Sequence, residues 1–284
     1  MSSPASFHER PTKRIGSPMK KPLKRLWRRL AARLSHDSDL RERLADAERR
    51  LRKQSRIVSG LRFLQQAAPA TMPPLLDDVW RSKSQHWQDL FVLLELGQKR
   101  NGYFVEFGAA SGVGLSNTYL LESQYGWTGI LAEPAQCWHA ELRVNRNCHI
   151  ETRCVWRESG QSLSFNETTL PVLSTISDYS ASDLHAKSRQ RGTQYDVETI
   201  SLFDLLRKYD APSTIDYLSI DTEGSEYEIL SHFDFERYRF RTITCEHNHS
   251  PMRQKLFDLL TSKGYQRRFE TLSGQDDWYV KTDK

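Results

Sequence analysis

Beyond residue 100 the chain alternates short apolar runs with segments of helical periodicity. "GYFVEFG" reads as a strand, "SNTYLLESQY" as a helix, "TGILAEP" as a strand, "AQCWHAELRVNR" as a helix and "HIETRCVW" as a strand. Helix "LFDLLRKY", strand "IDYLSIDTEG", helix "SEYEILSHF" and strand "FRTITCEHN" follow. A last helix, "PMRQKLFDLLTSKGY", leads to the closing strands "QRRFETL" and "DDWYVKT". Apolar runs of strand length between turn residues fit buried strands, and a spacing of three and four fits helices. Their regular alternation predicts βαβ units, hence an α/β domain of three αβα layers around a mostly parallel sheet.

The pattern before this domain is different. Leu40, Leu44, Ala47, Leu51, Gln54, Val58 and Leu61 recur in alternating steps of four and three, a heptad seam weakened by Gln54 and Gly60. Residues 38–64 could therefore pair two protomers or pack on the domain behind them. Further upstream, Leu23, Leu26, Trp27, Leu30 and Leu34 share one helical face opposite many arginines. Residues 20–34 thus suit an anionic membrane surface, or a soluble helix with a solvated charged face. "APATMPPLL" from Ala68 reads as a proline-bearing linker. The expected organisation is a disordered tail over 1–19, a helical extension over 20–67 and the α/β domain over 68–284.

Composition changes this picture in one respect. At 38% hydrophobic and 27% charged residues the 284-residue chain is globular in character. No run approaches the ~20 apolar residues of a membrane span. The net charge of +5 is concentrated between Arg10 and Arg33, a stretch without a single acid. The basic character therefore describes the extension, not the domain. Cys137, Cys148, Cys154 and Cys245 show neither CxxC pairing nor zinc spacing, which predicts buried free thiols in a reducing cytoplasm.

In a sheet of this kind ligands sit outside the carboxyl ends of the strands. The tips there are Glu106-Phe107-Gly108, Glu133-Pro134, Cys154-Val155, Asp221-Thr222-Glu223-Gly224 and Glu246-His247-Asn248. All but one are polar endings on apolar runs. The turn "GAASGVG" offers Gly108, Ala109, Gly112 and Gly114, which lets a ligand approach the backbone. No lysine follows to make a phosphate loop, and no third glycine completes G-x-G-x-x-G. Glu106 would repel a pyrophosphate but suits the cationic amino-acid end of S-adenosylmethionine. Glu133 is placed to accept hydrogen bonds from ribose hydroxyls, or to cap the helix after Pro134.

From Gln85 to Val280 the chain resembles the FkbM family of S-adenosylmethionine-dependent methyltransferases, of the class I Rossmann-like fold. The resemblance rests on "SQHWQDLFVL", "GYFVEFGAASGVGLSNTYLLE", "GWTGILAEP", "IDYLSIDTEGSEYEIL", "EHN" and "GYQRRFETLSGQDDWYV". It implies methyl transfer, most often to an oxygen of a sugar or related natural product. It places Glu106, Gly108, Ala109 and Gly112 against the methionine moiety and Glu133 on the ribose. Cys154 and Val155 fall at the adenine, while Gln85, Gln88 and Asp89 fall in a helical block closing over the cofactor. The family's usual small residue before Gln88 is Trp87 here.

A sugar hydroxyl is a poor nucleophile, so a base or a metal must help. Metal-free chemistry would use His247 or Asp221 as base, oriented by Glu223 or Glu246. Asp221, Glu246 and Asn248 form an all-oxygen set of the type Mg²⁺ prefers, resembling that of metal-assisted O-methyltransferases. Residues 174–196 form a polar stretch that could be a lid or acceptor pocket, with Tyr179, His185 and Arg189 facing a substrate. The expected activity is O-methylation of a glycan or glycolipid precursor, in the cytoplasm or on the inner face of the membrane. The rival readings are a dinucleotide-dependent oxidoreductase and a nucleic-acid binder using the basic arm. No specific nucleic acid is expected, because the domain offers no basic recognition helix.

Overall fold

The computed structural model describes residues 38–67, 72–180 and 186–282. The basic segments over 1–19 and 20–34, and His185, lie outside the described residues. The chain divides into two compact units, Met1–Arg56 and Ile57–Lys284.

The strands of the second unit are, in chain order, β1 (Tyr103–Phe107), β2 (Thr128–Ala132), β3 (His149–Glu151), β4 (Cys154–Trp156), β5 (Ser162–Thr168), β6 (Thr175–Ile176), β7 (Gly192–Ser201), β8 (Thr214–Ile220), β9 (Arg239–Glu246), β10 (Tyr265–Arg268) and β11 (Asp276–Lys281). Helix α1 (Ser38–Ala67) precedes them, followed by α2 (Met72–Arg81) and α3 (Gln88–Glu95). Then come α4 (Tyr119–Tyr125), α5 (His139–Asn145), α6 (Leu202–Lys208), α7 (Glu226–Ser231) and α8 (Met252–Ser262).

Seven strands form one sheet in the order β10-β11-β9-β8-β1-β2-β3. The five central and flanking strands from β9 to β3 run parallel, while β11 is antiparallel to β9 and to β10. Alternate side chains of each strand enter different cores, as the period of two requires. Val105 and Phe107 join Ile130, Leu218 and Ile243 in one cluster, whereas Phe104, Leu131 and Tyr217 join Leu90, Phe91 and Trp278 in another. The three-layer αβα expectation holds.

Four expectations need correction. "HIETRCVW" is two strands: β3 stays in the main sheet, and after the Glu151–Arg153 ion pair the chain turns into β4, which pairs with β7 of a second sheet. That sheet, ordered β4-β7-β5-β6, places β6 and the start of β7 inside the stretch read as polar, 174–196. Along β5 and β7 buried residues such as Phe165 and Val197 are interspersed with polar ones such as Asn166, Thr168 and Thr199, so these strands carry little apolar signal. The proline-bearing linker contains α2, with Pro73 and Pro74 in its first turn, where a missing N–H is harmless. The domain also begins earlier than residue 68. Phe63 and Leu64 are buried in its core, and a Cβ on Gly60 would come within 2.7 Å of Val79 and 2.9 Å of Trp87.

Candidate active site

The carboxyl ends of β1, β2, β8 and β9 meet in a cavity of about 290 Å³, roofed by the β5–β6 part of the second sheet. Of the residues expected at the cofactor, Gln85, Glu106, Gly108, Glu133, Cys154 and Val155 line it; Ala109, Gly112 and Gln88 do not.

The glycine-rich turn explains part of this difference. Gly108 has φ +74°, and a Cβ there would lie 2.0 Å from the carbonyl oxygen of Asp221. At Gly112, with φ +76°, a Cβ would meet Leu142 at 2.6 Å and Arg146 at 2.7 Å. These two glycines serve chain-to-chain packing, whereas Gly114 borders the cavity with open space around it. Gln85 precedes α3 instead of lying in it, and Gln88 is buried against β11, donating to Asp276 Oδ2 at 2.7 Å. Asp89 accepts hydroxyl bonds from Ser82 at 2.9 Å and Ser84 at 2.6 Å.

Glu106 holds the turn together. Its carboxylate accepts from Ser116 Oγ at 3.0 Å, from the Asn117 N–H at 2.7 Å and from Thr118 Oγ1. Burial pushes its pKa up, against Arg146 and these donors, which hold it down. Arg146, whose side chain is fully buried, donates to Gly112 O at 3.0 Å, Ser116 Oγ at 3.1 Å and Thr118 Oγ1 at 2.9 Å. Its Nε donates to Glu122 at 2.8 Å. Arg146 was not read from the sequence, and a lone arginine in a polar helix gives no signal for such a role.

Glu133 accepts from the N–H of Ala110 at 2.7 Å and of Ala135 at 2.8 Å. The cap-like bond and the cavity position thus coexist. Burial raises its pKa to about 7, with the two N–H donors opposing. Each carboxylate oxygen keeps a lone pair for a further donor. Asn117 was missed by the sequence reading although it lies in the quoted turn. Its Nδ2 donates to Ser219 at 2.9 Å, while its Oδ1, buried and lining the cavity, has no hydrogen-bond partner. These groups fit S-adenosylmethionine: Glu133 for ribose hydroxyls, Asn117 Oδ1 for the ammonium, and Val155, Phe165 and Ile176 as an apolar wall for the base.

At the other end stand Asp221, Glu223 and Glu246, with oxygens all within 4.8 Å of one another. Glu223, at φ +60°, receives Arg189 Nη2 at 2.6 Å and Asn248 Nδ2 at 3.2 Å. Arg189 also donates to Leu173 O at 2.8 Å, and Thr175 donates to the carbonyls of Thr222 and Glu223 at 3.2 and 3.1 Å. The roof is thereby tied to the acidic loop. Burial, then the charge of Asp276, raises Asp221 to about 7; burial and the Asp221 charge push Glu246 well above the usual carboxylate range.

The remaining candidates lie differently. His247 does not line this cavity. Its Nδ1 accepts the His249 N–H at 3.0 Å, its Nε2 is 3.8 Å from Asp277, and burial lowers its pKa to about 4. Asn248 turns its Nδ2 toward Glu223, and the carboxylates gathered beside it are Asp221, Glu223 and Glu246. Glu226 caps its own loop, accepting from the N–H of Thr222 at 2.9 Å and of Gly224 at 3.1 Å. The cysteines are free; Cys154 and Cys245 are buried, while Cys137 is exposed.

A parallel sheet with an antiparallel strand inserted beside its last strand, and a nucleoside-sized cavity over its central tips, is the architecture of a class I methyltransferase. The profile of the methyltransferase FkbM domain matches residues 106–267, more than half of the chain. The chain belongs to this family and is an S-adenosylmethionine-dependent methyltransferase. Among curated proteins none matches it significantly. Solved structures similar to it include a precorrin-6y C5,15-methyltransferase from Geobacter metallireducens, with 12% identity over 68% of this chain and 85% of that one, at a TM-score of 0.35. A TehB-like SAM-dependent methyltransferase from Corynebacterium glutamicum shares 8% identity over 72% and 94%, at 0.34.

Proposed function

We propose that the protein methylates a hydroxyl of a sugar in a glycan or glycolipid precursor, with Asp221 as the base. The carrying observation is the single cavity bounded at one end by Glu133 and Asn117 and at the other by Asp221 and Glu246. When bound, S-adenosylmethionine supplies a sulfonium methyl group whose C–S bond breaks with its electron pair left on sulfur. Asp221 takes the acceptor's hydroxyl proton, Glu246 orients the acceptor, and Arg189 and Asn248 fix Glu223 beside them. The apolar roof keeps water from the acceptor oxygen. Removing such a base costs about 10²–10⁴-fold in rate. Asp221→Asn should therefore keep cofactor binding within twofold while label transfer from methyl-labelled cofactor to saccharide acceptors falls at least 100-fold. Equal transfer by the variant would rule out Asp221.

A divalent cation is the second reading, favoured by three crowded carboxylates that, among the described residues, face the Arg189 guanidinium. An all-oxygen set suits Mg²⁺, which would polarise the acceptor hydroxyl. Transfer that survives EDTA would count against it. Pairing with a second copy is supported by the exposed seam of α1, where Leu51 is 64%, Val58 47% and Leu61 37% exposed. No helix of the described residues is long and apolar enough to cross a membrane. Attachment to the inner membrane face rests on the basic stretch over 20–34 alone.

A further inference from the structure

A second cavity, of about 200 Å³, lies on the far side of the acidic loop. Glu246 lines both cavities. Along the loop, Glu223 and Ser225 line the first and Gly224 and Glu226 the second, so the loop is the partition between them. The outer wall is Tyr179, Ser250, Pro251 and Met252, a largely apolar and partly aromatic surface. Into this setting the chain places Asn248, only 9% exposed and held in the left-handed region at φ +44°. Its Nδ2 is committed to Glu223, but its Oδ1 is buried with no hydrogen-bond partner. A buried carbonyl left without a donor is unfavourable, and such a strained, unsatisfied position points to a ligand that brings one.

The ligand chemistry follows from these walls. It needs a hydroxyl for Asn248 Oδ1, an apolar ring face for Tyr179, Pro251 and Met252, and a second hydroxyl directed at Glu246. Flat apolar surfaces beside a few fixed polar groups are what a pyranose ring meets in its binding sites, and the volume accommodates one such ring.

We propose that the second cavity is the acceptor subsite, taking one hydroxylated ring of monosaccharide size whose reacting hydroxyl reaches past Glu246, common to both cavities, to Asp221 at the end of the donor cavity. This rests on the O-methylation reading and extends it, because it gives the acceptor a place separate from the donor's.

The test uses the full chain saturated with S-adenosylhomocysteine and methyl β-D-glucopyranoside as probe. Saturation-transfer NMR reads contact with the probe's ring protons, and calorimetry reads S-adenosylhomocysteine affinity on the same samples. Wild type should show ring-proton transfer. Met252→Trp and, independently, Ser250→Phe, which fill the cavity, should cut it at least fivefold while leaving S-adenosylhomocysteine affinity within twofold. Undiminished transfer in both variants overturns the proposal, as does the absence of transfer to a wild type that binds S-adenosylhomocysteine. A wild type that fails to bind S-adenosylhomocysteine overturns the donor cavity itself, and is thus distinguished from failure of the subsite alone.

Discussion

The two ends of the cleft are both built on buried acids, yet the acids are treated in opposite ways. At the donor end Glu106 is surrounded by donors, with two hydroxyls, a backbone N–H and Arg146 directed at it. Glu133 is met by two backbone N–H groups. At the opposite end Asp221, Glu223 and Glu246 face one another, with Arg189 and Asn248 directed at Glu223. Donors around a buried acid fix its position and leave only its remaining lone pairs for a ligand; acids that crowd one another hold charge that a substrate, a proton or a cation must neutralise. Residue type alone does not separate these roles. The donors around each carboxylate do.

The sharpest way to break this contrast is to strip Glu106 of its counter-charge. Arg146→Met leaves a buried carboxylate facing three donors without the guanidinium, and breaking a buried pair from one side costs about 3–5 kcal/mol. For a domain of this size that is a fall in melting temperature on the order of 10 °C. An unchanged melting temperature would mean that the hydroxyls and the backbone N–H carry Glu106 alone.

A smaller effect tests the crowded end through Asp276, next to the cluster. Burial holds it at about 7 when folded, against 3.8 unfolded. The folded state therefore binds its proton more tightly, and the resulting destabilisation grows as pH rises from about 4 and is complete above about 7. Asp276→Asn keeps the Gln88 bond available and removes that cost. Its gain in melting temperature should be larger near pH 8 than near pH 4.5, and equal gains would contradict the burial argument.

The smallest expected effect on stability lies outside the cleft. Leu51→Lys with Val58→Lys changes exposed positions, so melting should shift by no more than about 0.5 kcal/mol. Sedimentation should nonetheless lose any dimer formed by the seam. A wild type that sediments as a monomer at all concentrations would remove the pairing.

Much of the sheet was legible because buried strands leave apolar runs: β1, β2 and β11 fall inside segments read as strands, and β8 and β9 begin one residue before theirs. The second sheet was hidden. β5 buries Phe165, Asn166 and Thr168 and β7 buries Val197, Thr199 and Ile200, so neither "SLSFNET" nor "GTQYDVETIS" carries a continuous apolar run. The acids at the strand tips were visible as polar endings on apolar runs. Their partners were not, because Arg146, Arg189 and Asn117 reach the site through tertiary packing that no local spacing announces. The glycines have more than one use: Gly108 lines the cavity and also admits the carbonyl of Asp221, while Gly112 makes room for Leu142 and Arg146.

The most direct test of the donor cavity is calorimetric binding of S-adenosylmethionine to wild type and to Glu133→Ala. The account predicts binding by wild type and at least tenfold weaker binding by the variant, a loss of about 1.4 kcal/mol. No binding by wild type, or equal affinity in the two proteins, would contradict it.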